Sequence, residues 1–94
     1  MAASFEWDPR KAAQNFAKHG VSFDEASTAF GDPLAGVIDD PRHSAAEERF
    51  VLIGASRNSR LLAVMFTYRA ERIRIISARP VTRAERKAYE EKPR

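Results

Sequence analysis

Residues 49–79, RFVLIGASRNSRLLAVMFTYRAERIRIISAR, decide the architecture of this 94-residue chain. Three runs rich in aliphatic, β-branched and aromatic residues, 49–56, 61–69 and 71–79, are separated by Arg57-Asn58-Ser59-Arg60 and by Ala70-Glu71. Connections this short join antiparallel neighbours, so the stretch reads as a β-meander. Side chains alternate across a strand, which puts Ile73 and Ile75 on one face with Ser77 and Arg79, and Arg72 and Arg74 on the other with Ile76 and Ala78. On that count the arginines serve a single site only if the strand twists or bulges. Which face is covered stays open, because Leu62, Val64 and Phe66 compete with Leu61, Ala63 and Met65.

Upstream, Phe5-Glu6-Trp7 alternates as a short edge strand. Asp8-Pro9 supplies an N-cap and a proline at the first helical position, where its missing N–H costs nothing. Ala12, Ala13, Phe16 and Ala17 follow as the expected apolar face, and Gly20 is placed for a left-handed C-cap. Ser22-Phe23-Asp24-Glu25 is a capping box opening a second helix, with Phe23, Ala26 and Phe30 inward. Gly31-Asp32-Pro33 breaks the pattern before a strand over Leu34–Ile38, and the polar stretch Asp39–Glu47 reads as a loop. Downstream, Thr82-Arg83-Ala84-Glu85 is a second capping box, starting a helix that reaches about Glu90. The order β-α-α-β-β-β-β-α predicts one α+β domain over residues 1–94, an N-terminal helical hairpin packed on a four-stranded antiparallel meander in two layers, followed by a C-terminal helix.

Composition narrows the chemistry. With no cysteine there is no disulfide or thiolate metal site. His19 and His43 stand alone, outside any cluster at ligand spacing, so no metal and no cofactor are expected. No apolar run is long enough for a signal sequence or membrane span, which predicts a cytoplasmic protein without a membrane partner. The net charge of +3 hides an asymmetry: residues 1–48 carry four Lys/Arg against nine Asp/Glu, residues 49–94 twelve against four. A basic half concentrated in arginine suits phosphate oxygens, and RNA is the leading partner. Gly-rich phosphate loops, nucleophile elbows, zinc fingers and RNP aromatics are all missing.

Metal-free cleavage of an RNA phosphodiester needs the 2′-hydroxyl deprotonated, phosphorane charge stabilised and the leaving oxygen protonated. Arg79 and Arg74 are the candidate charge stabilisers. Glu48 reads either as a base or as the ion-pair partner of a strand arginine. Tyr89 reads either as a proton shuttle and base-stacking group or as packing for the last helix. Lys18, His19, Arg72, Arg83 and Arg86 are candidate RNA-binding residues. The bland reading of His19 is a cation at a helix C-terminus, favoured by the dipole.

Phe5-Glu6-Trp7-Asp8, Lys18-His19-Gly20-Val21-Ser22-Phe23 with Glu25-Ala26, Asp32-Pro33, Glu47-Glu48-Arg49-Phe50 with Ile53-Gly54, Ile73 to Arg79, Glu85-Arg86 and Tyr89-Glu90 together resemble the BrnT family of bacterial toxins. The resemblance implies a RelE-like fold and a ribonuclease that inhibits translation as the toxin of a type II toxin–antitoxin pair. It implies neutralisation by a BrnA-like ribbon-helix-helix antitoxin, and operator DNA bound only through that complex. The family's characteristic polar positions fall on Lys18, His19, Glu48, Arg74, Ser77, Arg79, Arg86 and Tyr89. Pro80 is a mild departure that would stiffen the connection after Arg79. A homodimer within a heterotetramer is the assembly to test, since an exposed meander edge invites strand addition. The rival readings are a non-enzymatic nucleic-acid-binding co-repressor and an interaction module that docks an acidic partner.

Overall fold

A computed structural model describes residues 4–40 and 48–91. His43 and most of the expected 39–47 loop lie outside them. The elements are β1 (Phe5–Glu6), α1 (Pro9–His19), α2 (Phe23–Thr28) running into a 3₁₀ turn (Ala29–Gly31), β2 (Gly36–Asp39), β3 (Phe50–Ala55), β4 (Leu61–Arg69), β5 (Arg72–Pro80) and α3 (Arg83–Glu91). The mixed α+β architecture is as expected, with one addition. The meander β2-β3-β4-β5 gains a fifth strand, because β1 pairs parallel to β5 through Phe5 opposite Ile73 and Glu6 opposite Arg74, giving the order β1-β5-β4-β3-β2. β2 starts later than expected because Asp32 folds the chain back on itself, its Oδ1 accepting from Leu34 N and its carbonyl from Ala35 N.

The caps form as their sequences dictate. Asp8 accepts from Arg10 N at 2.8 Å, and Gly20 closes α1 at φ 69°, donating to the Phe16 carbonyl. Ser22 Oγ accepts from Glu25 N, but the Glu25 side chain does not return to complete the box. It is buried instead against the β3–β4 hairpin, accepting from Ser56 Oγ at 2.7 Å and from Arg60 Nε at 2.9 Å, while Arg60 also donates to the Gly20 carbonyl. That ion pair ties the hairpin to both helix ends. It holds the Glu25 carboxyl down at about 2, chiefly through the hydrogen bond from Arg60.

The helices cover the Leu62–Val64–Phe66 face. Val21, Phe23, Ala26 and Ala29 meet Leu52, Leu62, Val64, Phe66, Ile75 and Ala78 in one core. Phe30 extends it with edge-to-face contacts to Phe66 and Phe5 at centroid distances of 5.0 and 5.2 Å. Gly54 lets β3 approach the 3₁₀ turn, since a Cβ there would lie 2.9 Å from the Ala29 carbonyl oxygen.

Helix α1 corrects the expected apolar face. Ala13, Phe16 and Ala17 are exposed, Phe16 by 58%, while the buried residue is Asn15. The cause is the short β1, which pairs with β5 only as far as Arg74 and leaves the backbone beyond it without a strand neighbour. Asn15 fills that role. Its Nδ2 donates to Ala78 O at 2.8 Å and Val21 O at 3.0 Å, and its Oδ1 accepts from Ala78 N at 3.1 Å. One side-chain amide thus satisfies both backbone groups of a buried residue, as burial requires.

Candidate nucleic-acid interface

Strand β5 carries a bulge. Met65 pairs with Ser77 and Phe66 with Ile75, so Ile76 has no partner on β4. An extra residue reverses the alternation beyond it. Ile73, Ile75 and Ala78 therefore face the helices, while Arg72, Arg74, Ser77 and Arg79 share the far face. The simple alternation, which put Arg79 opposite Arg72 and Arg74, is overturned by this one inserted residue.

On the far face lies a cleft of about 730 Å³. Its floor is the cross-strand row Ile38–Val51–Met65–Ser77, each residue in register with the next. Arg49 and Arg79 contribute its cations, and Asp39, Asp40 and the α3 carboxylate Glu85 its anions. Arg79 makes a two-pronged ion pair with Glu85, at 2.8 and 3.0 Å, and also donates to the Pro80 carbonyl. Glu85 completes its capping box as well, accepting from Thr82 N at 2.8 Å while Glu85 N donates to Thr82 Oγ1. The fork from Arg79, helped by Thr82, pulls the Glu85 carboxyl down to about 2, and Glu85 in turn raises the Arg79 guanidinium. Arg79 is consequently fixed in direction, with one carboxylate already engaged.

Around the β5 edge a second cavity, of about 350 Å³, lies between α1 and the bulge. Lys11, Gln14, Asn15, Lys18 and His19 line it together with Ile76 and Ser77. No carboxylate is among its described lining residues. Ile76 and Ser77 form a wall common to both cavities, so the bulge joins an arginine cleft to a lysine–histidine pocket. Lys18 and His19, the candidate RNA-binding residues, line this second cavity. Lys11, Arg49 and Ser77 enlarge the set. Arg49 and Lys11 carried no signal beyond charge, because their place depends on strand pairing and helix rotation.

Other expected residues are dispersed. Arg74 is five residues from Arg79 along β5, roughly 15 Å by strand rise, and is held by a different carboxylate from Arg79. It pairs with Glu6 at 2.9 Å. Glu48 lies beside Thr67 and Tyr68 at the opposite end of β4 from Ala63, the partner of Arg79, roughly 17 Å away. The structure therefore does not bring Glu48 to Arg79. Tyr89 donates to Asp32 Oδ2, which also receives Ala55 N, and so clamps α3 to the turn before β2. Arg72, Arg83 and Arg86 are exposed, with Arg86 in a long 3.9 Å contact to Glu90. Among the described residues no group of three or more His, Cys, Asp or Glu is gathered for a metal ion, and no helix is long and apolar enough to cross a membrane.

Residues 7–85 match the family described as the ribonuclease toxin, BrnT, of type II toxin–antitoxin systems. The crystal structure of the Brucella abortus ribonuclease toxin BrnT superimposes with a TM-score of 0.67 at 25% identity, covering 87% of this chain and all of that one. A search of curated proteins finds no match. The family span contains both cavities' β5 wall and Arg79 but stops before Tyr89. Membership in a type II system implies an antitoxin partner. With the match spanning most of the sequence and the fold shared along the whole of a solved relative, this chain belongs to the BrnT family of ribonuclease toxins.

Proposed function

We propose that this chain is a metal-independent endoribonuclease that cleaves RNA at the bulge of β5 and thereby inhibits translation. The observation that carries the reading is the wall formed by Ile76 and Ser77, which places Arg79 on one side of a single backbone segment and Lys18 and His19 on the other. A phosphodiester seated over this wall meets a forked cation from one side and a lysine and an imidazole from the other. The 2′-oxygen forms a bond to phosphorus as the P–O5′ bond breaks, leaving a cyclic phosphate and a 5′-hydroxyl. Arg79 stabilises charge on the non-bridging oxygens. Histidine is the side chain best suited to accept and return protons near neutral pH, and His19 takes that role, with Lys18 neutralising the adjacent phosphate. Ser77 offers a hydroxyl at the centre. Arg72, Arg74, Arg83 and Arg86 steer the strand from outside, and Tyr89 acts by anchoring α3, hence Glu85 and the direction of Arg79. Glu48 stands outside the reacting centre.

The same reading makes the neutralising partner a BrnA-like ribbon-helix-helix antitoxin in a heterotetramer, with operator DNA contacted only through that assembly, in the cytoplasm. An acidic antitoxin segment competes with RNA for the lysine–arginine surface, where charge complementarity favours fast association. The test is cleavage of RNA by antitoxin-free protein in excess chelator. Cleavage that persists in chelator, falls at least about a hundred-fold in Arg79→Ala and His19→Ala variants of unchanged circular dichroism, and stops on adding antitoxin is the expected result. Loss of all activity in chelator, or full activity of the folded Arg79→Ala protein, refutes the mechanism.

A further inference from the structure

At the end of β4 remote from Arg79, Tyr68 belongs to the row Leu62–Val64–Phe66–Tyr68 that faces the helices, yet it is 63% exposed. Its ring makes T-shaped contacts with Phe50 and Phe66, each at a centroid distance of 5.7 Å, which fix its position while most of it stays open to solvent. Beside it, buried Thr67 donates its hydroxyl to the Glu48 carbonyl and fixes the Glu48 backbone. The Glu48 side chain is exposed and makes no hydrogen bond or ion pair among the described residues. These residues line a small cleft of about 230 Å³, below the range of ordinary small-molecule pockets and suited to one planar ring.

The adjoining hairpin tip is strongly cationic. Arg69 and Arg72 are directly opposed across β4 and β5. Like charges in that relation repel, and a phosphate between or beside them would relieve the repulsion. Those arginines project from the far face. Tyr68 lies on the opposite, helix-side face, where an aromatic plane with the Glu48 carboxylate at its rim supplies the components of a base-binding site.

We propose that Tyr68 and Glu48 form a nucleobase-binding subsite that selects guanine in single-stranded RNA. The proposal rests on the RNA reading above. Stacking on Tyr68 accepts any base, so the choice falls to Glu48. A carboxylate only accepts hydrogen bonds, and its two oxygens match the adjacent N1–H and N2–H₂ donors of guanine's Watson–Crick edge. Adenine offers a ring acceptor at that point, and uracil a single N3–H flanked by two carbonyls that repel a second carboxylate oxygen. Glu48, remote from the reacting centre, thereby acts in substrate choice.

Fluorescence anisotropy with short 2′-O-methyl oligonucleotides, which cannot be cleaved through the 2′-oxygen, tests this. Guanine-, inosine- and adenine-containing versions are compared on wild-type, Tyr68→Ala, Tyr68→Phe and Glu48→Gln proteins, with native RNA cleavage assayed on the same wild-type preparation. Expected are tightest binding by the guanine strand, a loss of roughly ten-fold for Tyr68→Ala, little change for Tyr68→Phe, and disappearance of the guanine-over-inosine margin in Glu48→Gln. A wild-type protein that binds all three strands equally, or a guanine margin surviving Glu48→Gln, overturns the subsite. If cleavage persists in that case the ribonuclease reading stands. If wild-type protein neither cleaves nor binds, both readings fall.

Discussion

Replacing Asn15 probes the contact that holds α1, with Lys18 and His19, against the β5 bulge. Its amide makes three hydrogen bonds, two to the backbone of fully buried Ala78 and one to Val21 O. Asn15→Leu keeps the branched heavy-atom skeleton and removes all three, leaving Ala78 N–H and two carbonyls without partners. A buried polar group left unsatisfied costs about 1–3 kcal/mol. With the donor fully stranded and the carbonyls less penalised, the loss should total about 3 kcal/mol, a large part of the 5–15 kcal/mol typical of a domain. For a chain of this size that lowers Tm by about 12–24 °C. Asn15→Asp supplies a sharper signature. The new carboxylate still accepts from Ala78 N but presses an anionic oxygen on the Ala78 and Val21 carbonyls, which raises its folded pKa above the unfolded value. Its protonated form can donate again, so the deficit should shrink as pH falls below the folded pKa and be full above it. Urea unfolding of parent and both variants at pH 7 and pH 5 measures this. Variants within about 0.5 kcal/mol of the parent, or an Asn15→Asp deficit independent of pH, would refute the reasoning.

Three further outcomes are expected. Arg60→Ala leaves the carboxylate of Glu25 buried without its cation and should destabilise by about 3 kcal/mol, the lower end for a broken buried pair because Arg60 is partly solvated, as read by chemical denaturation. Gly54→Ala drives a Cβ to within 2.9 Å of the Ala29 carbonyl and should cost about 1–3 kcal/mol, seen as a lowered Tm with secondary structure unchanged. Glu25 and Glu85 both have folded pKa values lowered from 4.5 to about 2. Their contribution is therefore complete above about pH 4.5 and drains as pH falls toward 2, so a thermal melt series over that window should fall less steeply for Glu85→Gln than for the parent.

The local rules read well from sequence wherever the signal is itself local. Asp8-Pro9, Gly20, Ser22 and the Thr82–Glu85 box cap the helices they were expected to cap, since each cap involves groups within a few residues. Asn15 and Glu25 show where such reading ends. A polar residue beside an apolar stripe gives no sign that it will serve as a substitute strand, and a capping-box glutamate gives no sign that an arginine 35 residues later will claim it.

By itself, then, the sequence determined the strands of the meander, the caps, the cationic second half and the family, because periodicity, short-range hydrogen bonding and charge survive without coordinates. The tertiary structure decided which arginines share a face. Alternation assigns faces only while every residue is paired, and one unpaired residue, Ile76, reverses the count for Ser77 and Arg79. Strand length then separates Arg74 and Glu48 from Arg79, while helix packing brings Lys18 and His19 to the other side of the same wall. Those are consequences of register and packing, which no local pattern carries.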